Sequence, residues 1–516
     1  LGLVIKIISE VSGMIKKMAF FTLLLICIHY ANGVWQPDSN ITNSAGGSWT
    51  SFNNAKGMVT YGRNIYLVWY DFYNTTNWGC QVLFKYFDGE IWSQSEVVGY
   101  AGNRSLNNWN PGCAIDAAGR FHLVWETNEF TTDIENFELA YKEYYNGTWS
   151  STIRLTSDES YSFFPSLTNS ADGRIHVVWQ DDRQGTFKIY YKVLKGGGWS
   201  GDICISPDGY ECYTPSVIST STGVVVAWQG VYEGIKQIFV KRLTDNNWGS
   251  DSAISHSALG AFNPHVFNDT KGNVHLIWED WDLGNSNIYY RKYDGQAAKW
   301  MPIEKLTSGP FNAISPVAVS RDSLIYIYWT DDRSGDYEIY SMQGVNGLWE
   351  TEERISNSQI RAKYPVAAID VKGNLYLVWC GWTGDDRKDP DLYFTCNISA
   401  PWDLAASDQD IKAPFVKYIS CYPNPVCGTA SIKYLINSDA NTMHDADVVK
   451  GAGKVQIYNV TGQLVYSFGN SLTLNEERTM TWNCIDNHGK RVPNGVYLVK
   501  LSLNNRRYVN KITVMR

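Results

Sequence analysis

The chain is patterned as short runs that are either apolar throughout or alternate apolar with polar, each closed by Gly, Asn or Asp. That is the signature of strands joined by tight turns. Seven of these runs end in tryptophan: IYLVW at Trp69, FHLVW at Trp125, IHVVW at Trp179, VVVAW at Trp228, VHLIW at Trp278, IYIYW at Trp329 and LYLVW at Trp379. The gaps between them are 56, 54, 49, 50, 51 and 50 residues, and a second tryptophan trails each by 20 to 24 (Trp92, Trp149, Trp199, Trp248, Trp300, Trp349 and Trp402). Two registered tryptophans at a period near 50 define a structural repeat.

One unit holds four strands. In the third, FPSLTNS is followed by a turn at Asp172 and Gly173, then RIHVVWQ, the loop DDRQGT, KIYYKVLK, a glycine turn and WSGDICIS. Four antiparallel strands repeated around a circle make a β-propeller, which leaves only short, protected edges. The segment VWQPDSNITNS from Val34 matches LWETEERISNS from Leu348, an outermost strand, yet no unit precedes it. It is expected to complete the seventh blade, whose other strands are VAAID, LYLVW and DLYFTCN, and so to close the ring. The sequence therefore predicts an all-β chain: a seven-bladed propeller over 34–400 (34–42 being the closing strand), a linker over 401–414, and a small immunoglobulin-like β-sandwich over 415–516. A rival arrangement keeps the Trp402 segment as the closing strand.

Composition narrows this further. At 516 residues the chain exceeds what one hydrophobic core usually serves. The net charge of −8 is mild and argues against nucleic acid as a partner, since phosphate binding needs clustered Lys and Arg. Near the start, Lys16 and Lys17 precede an apolar stretch from Ala19 to Ile28, then Ala31 and Gly33. This reads as a signal peptide cleaved after Gly33, with residues 1–13 an upstream extension. The apolar stretch is too short to span a bilayer, which needs about 20 residues, so no transmembrane segment is expected after cleavage. Cys27 raises a lipoprotein alternative, but Ile26 before it is too bulky. The cysteines that remain show no zinc-type spacing; Cys204 with Cys212 and Cys421 with Cys427 are close enough in sequence to be bridged.

Beyond about Phe415 the period is lost. The motifs YPNPV, VQIYNVTGQLV, WNCIDNHGKRVPNGVY and the final KITV resemble the type IX secretion sorting domain, and equally the related immunoglobulin-like domain of flagellar hook-capping proteins. The resemblance implies export across the outer membrane of a Gram-negative bacterium, with the secretion machinery as partner and surface attachment or release as outcome. The repeat units in turn are similar to the sialidase and BNR-repeat superfamily, through Ser170–Gly173 followed by IHVVW. In those enzymes the box lies between the third and fourth strands; here it falls between the first and second, and also recurs at Asp116–Gly119, Asp269–Gly272 and Asp370–Gly373. It reads as a turn, and no catalysis is inherited from it.

A ligand is expected on the face where the innermost strands begin and the second and third strands join. Two recurrent sets assemble there. The first follows the repeated tryptophan: Asp71, Glu126, Asp181 with Asp182, Glu279 with Asp280, and Asp331 with Asp332, Arg183 and Arg333 completing the loops WQDDRQG and WTDDRSG. Such carboxylates could hold calcium, act as acid and base, or take sugar hydroxyls; recurrence in several blades favours turn-capping instead. No residue pattern marks a metal site, and calcium has no support beyond those carboxylates. The second set is Trp109, Phe163, Tyr213 and Phe262, each two residues before a recurrent proline, suited either to stacking on sugars or to wedging between blades. Trp78, Trp281 and Trp382 are each placed alone in a loop of that face, where no repeat demands them. Arg104, Arg154, Arg242, Arg291, Arg354, Arg361 and Arg387 are also present, but no motif selects three for a sialidase-type centre. The leading expectation is an exported propeller that binds carbohydrate or a surface protein; the alternatives are a sialidase-like exo-glycosidase and a structural envelope spacer.

Overall fold

A computed structural model describes residues 35–44, 46–51, 56–72, 79–89, 91–99, 106–131, 133, 135–282, 284–345, 347–356, 360–383, 389–398, 415–422, 426–437, 448–450, 453–459, 463–468, 471–473, 477–503 and 506–515. The expected signal peptide, the 401–414 linker and Trp78 lie outside them. The chain divides into two compact units, Leu1–Pro401 and Trp402–Arg516. Every regular element among the described residues is a β-strand.

The first unit holds seven antiparallel sheets among the described residues, of the kind that form propeller blades. The third is representative: Ser162–Asn169 pairs with Ile175–Asp181, which pairs with Lys188–Lys195. The outer edge of that last strand is met by two short pieces, Gly198–Trp199 and Ile203–Cys204. The sheet built from Arg361–Ile369, Leu375–Trp382 and Asp391–Asn397 takes its fourth strand from the other end of the unit. Ser39 and Asn40 pair with Phe394 and Tyr393, and Trp35 bridges Asn397.

One hydrogen bond shows why that N-terminal segment belongs there. In five sheets a hydroxyl of the outer edge accepts the amide of the third strand's first buried aliphatic residue: Leu139 N to Thr156 Oγ1, Ile189 N to Ser206 Oγ, Ile238 N to Ser255 Oγ, Ile288 N to Thr307 Oγ1 and Ile339 N to Ser356 Oγ, at 2.8–2.9 Å. In the seventh sheet Leu392 N donates to Thr42 Oγ1 at 2.8 Å. A cation reaching between sheets repeats in the same way. Lys142 Nζ donates to Val98 O, Lys241 Nζ to Ile205 O and Arg291 Nη1 to Ile254 O. Lys85 Nζ donates to Ile41 O at 2.6 Å, so the N-terminal segment fills an outer-edge position here as well.

The seven repeated tryptophans are at most 1% exposed, each inside an apolar cluster shared by two sheets. Trp125 sits with Val82 and Phe84 of the preceding sheet, and Trp179 with Val124 and Tyr141. Trp69 of the first sheet shares its cluster with Val378, Leu392 and Phe394 of the seventh. The trailing tryptophans wedge the outer edges: Trp149 meets Phe84, Trp199 meets Tyr141, Trp248 meets Tyr191 and Trp349 meets Tyr290, edge to face with centroids 4.9–5.1 Å apart. Trp92 of the first sheet meets Phe394 of the seventh at 5.1 Å. Burying rings of this size on both sides supplies the larger part of each sheet's stability.

The second unit packs a three-stranded sheet (Phe415–Tyr422, Ala430–Asn437, Glu477–Trp482), a four-stranded one (Leu464–Ser467, Gly453–Asn459, Gly495–Leu503, Arg506–Val514) and a two-stranded pair. Its core gathers Ile432, Tyr434, Val455, Ile457, Trp482 and Val499. Asp486 Oδ1 accepts the amides of His488 and Lys490, closing the IDNHGK turn, and Trp482 Nε1 donates to Ile485 O. Cys204, Cys212 and Cys427 are free thiols, so neither bridge that the sequence allowed forms. The 204/212 pairing fails because Cys204 lies in the outer edge of one sheet and Cys212 opens the next.

Thr42→Val should cost about 1 kcal/mol, the net worth of one hydrogen bond. Removing residues 34–44 should cost far more and broaden the transition, because the seventh sheet would lose its outer strand. Urea unfolding followed by tryptophan fluorescence measures both.

Candidate functional site

The carboxylates after the repeated tryptophans face inward to structural partners. Trp69 Nε1 donates to Asp71 Oδ1 at 2.7 Å, Trp179 Nε1 to Asp181 Oδ2 at 2.9 Å, Trp278 Nε1 to Asp280 Oδ2 at 3.0 Å and Trp329 Nε1 to Asp331 Oδ2 at 2.8 Å. In the second sheet Thr127 occupies that place, and Asn108 Oδ1 takes the Trp125 proton at 2.7 Å instead. A buried indole N–H needs an acceptor, and these residues provide it. Burial pushes the Asp71 carboxyl up to about 6 even though Ser48 and Trp69 hydrogen-bond to it.

Glu126 and Glu279 occupy the neighbouring position, directly after the tryptophan, and join adjacent sheets. Phe164 N donates to Glu126 Oε1 at 2.6 Å and Ser315 N to Glu279 Oε2 at 2.9 Å. The same bond runs from Thr214 N to Gln180 Oε1, from Asn263 N to Gln229 Oε1 and from Tyr364 N to Thr330 Oγ1. Thr50 N meets Cys380 Sγ at 3.3 Å in the corresponding place between the seventh and first sheets. Five of the donors, Phe164, Thr214, Asn263, Ser315 and Tyr364, together with Asn110, have φ between 43° and 58°. A side chain in that left-handed region is strained by about 1–2 kcal/mol. The recurrent proline follows each of them at a β-bulge, where its missing N–H leaves no ladder bond unmade.

Arg183 and Arg333 hold their loops. Arg183 is bidentate to Asp181 at 2.7 and 2.6 Å, pairs with Asp158 and Asp202, and lies 4.4 Å over the Tyr190 ring. Arg333 is bidentate to Asp331 at 2.9 and 2.7 Å, pairs with Glu352, and lies 4.1 Å over Phe311. Each arginine is thus already satisfied by its own set of carboxylates.

The aromatic set behaves differently. Trp109, Phe163, Tyr213 and Phe262 are half-buried, and each pairs across the sheet with the residue after the repeated tryptophan. Rings that the sequence reading missed bridge them: Phe137 lies 5.2 Å from Trp109 and 5.5 Å from Phe163, and Phe187 lies 6.3 Å from Phe163 and 5.6 Å from Tyr213. Tyr161 stacks on Phe163 at 5.3 Å. Lys236 continues the line, its Nζ 5.1 Å from the Tyr213 ring and 5.2 Å from Phe262. The result is an aromatic arc over four consecutive sheets, with a cation between its last two rings. Phe137, Phe187 and Lys236 all stand two residues before the first buried aliphatic of a third strand, and that register could have revealed them. Ile314 and Lys363 take the equivalent places in the sixth and seventh sheets, and Trp49 in the first.

Trp281 is 42% exposed at the tip of Val274–Asp282 and remains available to a ligand. Trp382 is a correction to the expected loop position. It ends the strand Leu375–Trp382, is only 6% exposed, and is covered by Trp49, edge to face at 5.4 Å. A ligand cannot stack on it. No group of three His, Cys, Asp or Glu side chains that could hold a metal ion occurs among the described residues.

Residues 420–515 match the family of secretion system C-terminal sorting domains. The chain is therefore exported, and is secreted or held at the outer surface of a Gram-negative bacterium of the Bacteroidetes type. No curated protein matches the chain. Similar solved structures include a fungal alcohol oxidase of the AA5 family in complex with copper, 13% identical with a TM-score of 0.48, covering 94% of this chain and 100% of that one. An ulvan lyase of polysaccharide lyase family PL25 is 10% identical with a TM-score of 0.48, covering 70% of this chain and 95% of that one. PorZ, a surface component of the type IX secretion system of Porphyromonas gingivalis, is 14% identical with a TM-score of 0.39, covering 90% of this chain and 60% of that one. Likenesses this distant assign neither ligand nor reaction.

Burial pushes the Glu126 carboxyl up to about 8, against its bonds from Phe164 N and Asn110 Nδ2. Because the folded pKa lies above the ordinary 4.5, this group's contribution is full at low pH and is lost as pH rises from 4.5 to about 8. Glu126→Gln, which installs the residue found at 180 and 229, should keep the fold and flatten stability across that window. Glu126→Ala should destabilise by about 1–3 kcal/mol by orphaning two buried donors. Denaturation midpoints from pH 4.5 to pH 8 separate the two.

Proposed function

We propose that the seven sheets close into a seven-bladed propeller that binds carbohydrate at the face where its inner strands begin, and that an immunoglobulin-like tail delivers it to the cell surface or the medium. The observation that carries the binding reading is the arc of half-buried rings Trp109, Phe163, Phe187, Tyr213 and Phe262, with the buried Phe137 ring packed between the first two. Flat apolar rings with polar edges offer the faces that pyranose C–H groups stack against. Trp281 extends the surface outward. Closure is supported by the apolar cluster shared between the first and seventh sheets and by the Thr50–Cys380 contact. The immunoglobulin-like reading of the tail is supported by Tyr497, whose hydroxyl donates to Pro493 O at 2.9 Å, as in the tyrosine corner of such sandwiches.

Binding is favoured over glycoside hydrolysis by what the arginines do. Arg154 pairs with Glu138, Arg183 with Asp181 and Arg333 with Asp331, each within its own sheet, and Arg361 of the seventh sheet pairs with Asp336 of the sixth. None of these four is left to converge with two others on a substrate carboxylate.

A glycan array probed with the mature chain tests the reading. Phe163→Ala and Tyr213→Ala should each weaken binding roughly tenfold, about 1.4 kcal/mol, and Trp281→Ala should weaken it without altering the melting midpoint. Binding that is unchanged in all three variants, or glycoside turnover by the wild type, refutes it. Deleting residues 415–516 should leave the propeller inside the cell envelope, as cell fractionation reads directly.

A further inference from the structure

The first sheet departs from the repeat at its inner strand. In the six other sheets the left-handed residue is followed directly by proline and the strand runs on. In the first, no proline follows Thr50, and the sequence carries extra residues before the next described strand, Met58–Tyr61. The extra residues lead to Lys56, whose position is fixed by its own carbonyl: Cys113 N and Cys113 Sγ both donate to Lys56 O, at 2.8 and 2.9 Å. The side chain then reaches a distant sheet, and Nζ donates to Val217 O of the fourth sheet's inner strand at 3.3 Å.

Lys56 lines a cavity of about 270 Å³ walled by the inner strands of six sheets. Thr60, Thr168, Asn169 and His265 add polar groups to a wall that is otherwise mostly small and apolar. The lining contains no Asp, Glu or Arg. Among the described residues no carboxylate pairs with the amine, and Val217 O is its one hydrogen-bond partner. An ammonium offers three protons. A charge half-buried against a mostly apolar wall loses part of its hydration and costs free energy unless it is paired, and repeat packing does not call for it, since no other sheet carries the insertion.

We propose that this cavity is a binding site for a small carboxylate or oxyanion, with the Lys56 ammonium as its principal ligand. The anion supplies the countercharge that the protein omits, and the Thr168 hydroxyl and Asn169 amide give it further hydrogen-bond donors, the Thr60 hydroxyl being spent on Ile369 O. Burial holds the amine down at about 8, so a bound anion would restore the proton and tighten with falling pH. The other titratable groups that line the cavity are Cys113 and His265, and burial keeps the Cys113 thiol protonated.

The test uses the mature full-length chain and three probes at constant ionic strength: acetate, inorganic phosphate and sulfate. Thermal unfolding is followed against the concentration of each. At least one should raise the wild-type midpoint saturably, as ligand linkage requires, with Lys56→Gln abolishing the rise and Lys56→Arg retaining it. The rise should be large below the amine's pKa of about 8 and lost well above it. That pH comparison needs only the wild type, so it decides the matter even if Lys56→Gln does not fold. No saturable rise with any probe, an equal rise in Lys56→Gln, or a rise insensitive to pH overturns the proposal. Glycan binding at the aromatic arc is read separately and can fail or succeed independently.

Discussion

Each sheet of the larger unit is apolar on both faces, and that constraint organises the rest. A sheet with one wet face can stop after a single layer, but one with two dry faces needs a neighbour on each side. The buried tryptophans at 69, 125, 179, 228, 278, 329 and 379 express this demand in every repeat. A row of such sheets would leave its terminal faces exposed to water. The cluster joining Trp69 and Leu67 to Val378 and Phe394 answers that problem by setting the last sheet against the first.

Apolar packing brings sheets together without fixing their register, and polar bonds do the fixing. The bond from a strained amide to the residue after the tryptophan pins the inner end of five junctions. The Lys or Arg donating to a neighbouring carbonyl pins the outer end. The acceptor changes freely among Glu, Gln and Thr because the bond needs only an oxygen at that point. This explains why acidic residues recur near the tryptophans without forming a reactive ring. Their oxygens are directed at backbone and indole N–H groups, and the arginines among them close local ion pairs.

Once those residues are assigned to scaffolding, what remains available is informative. Five of the six rings of the aromatic arc are only half-buried although it is assembled from the same repeat positions. Its interruption by Ile314 and Lys363 makes one side of the face unlike the other. Lys56 stands outside the repeat altogether, delivered by an insertion in a single sheet. Asymmetry within a symmetric scaffold is where recognition can be built without disturbing packing.

The sequence alone determined the strands, the seven repeats, the N-terminal segment's match to an outer strand and the character of the tail. These are local properties, written in alternation, turn residues and spacing. It could not determine which recurrent polar residues are occupied, because Asp181 bound to Trp179 and Arg183 reads no differently from an aspartate awaiting a ligand. Nor could it show that Trp382 is covered by Trp49, or that Lys56 reaches Val217. Those contacts join positions hundreds of residues apart in one case and in opposing strands in the other. They exist only after the sheets have packed, since it is burial from water that selects partners among chemically equivalent side chains.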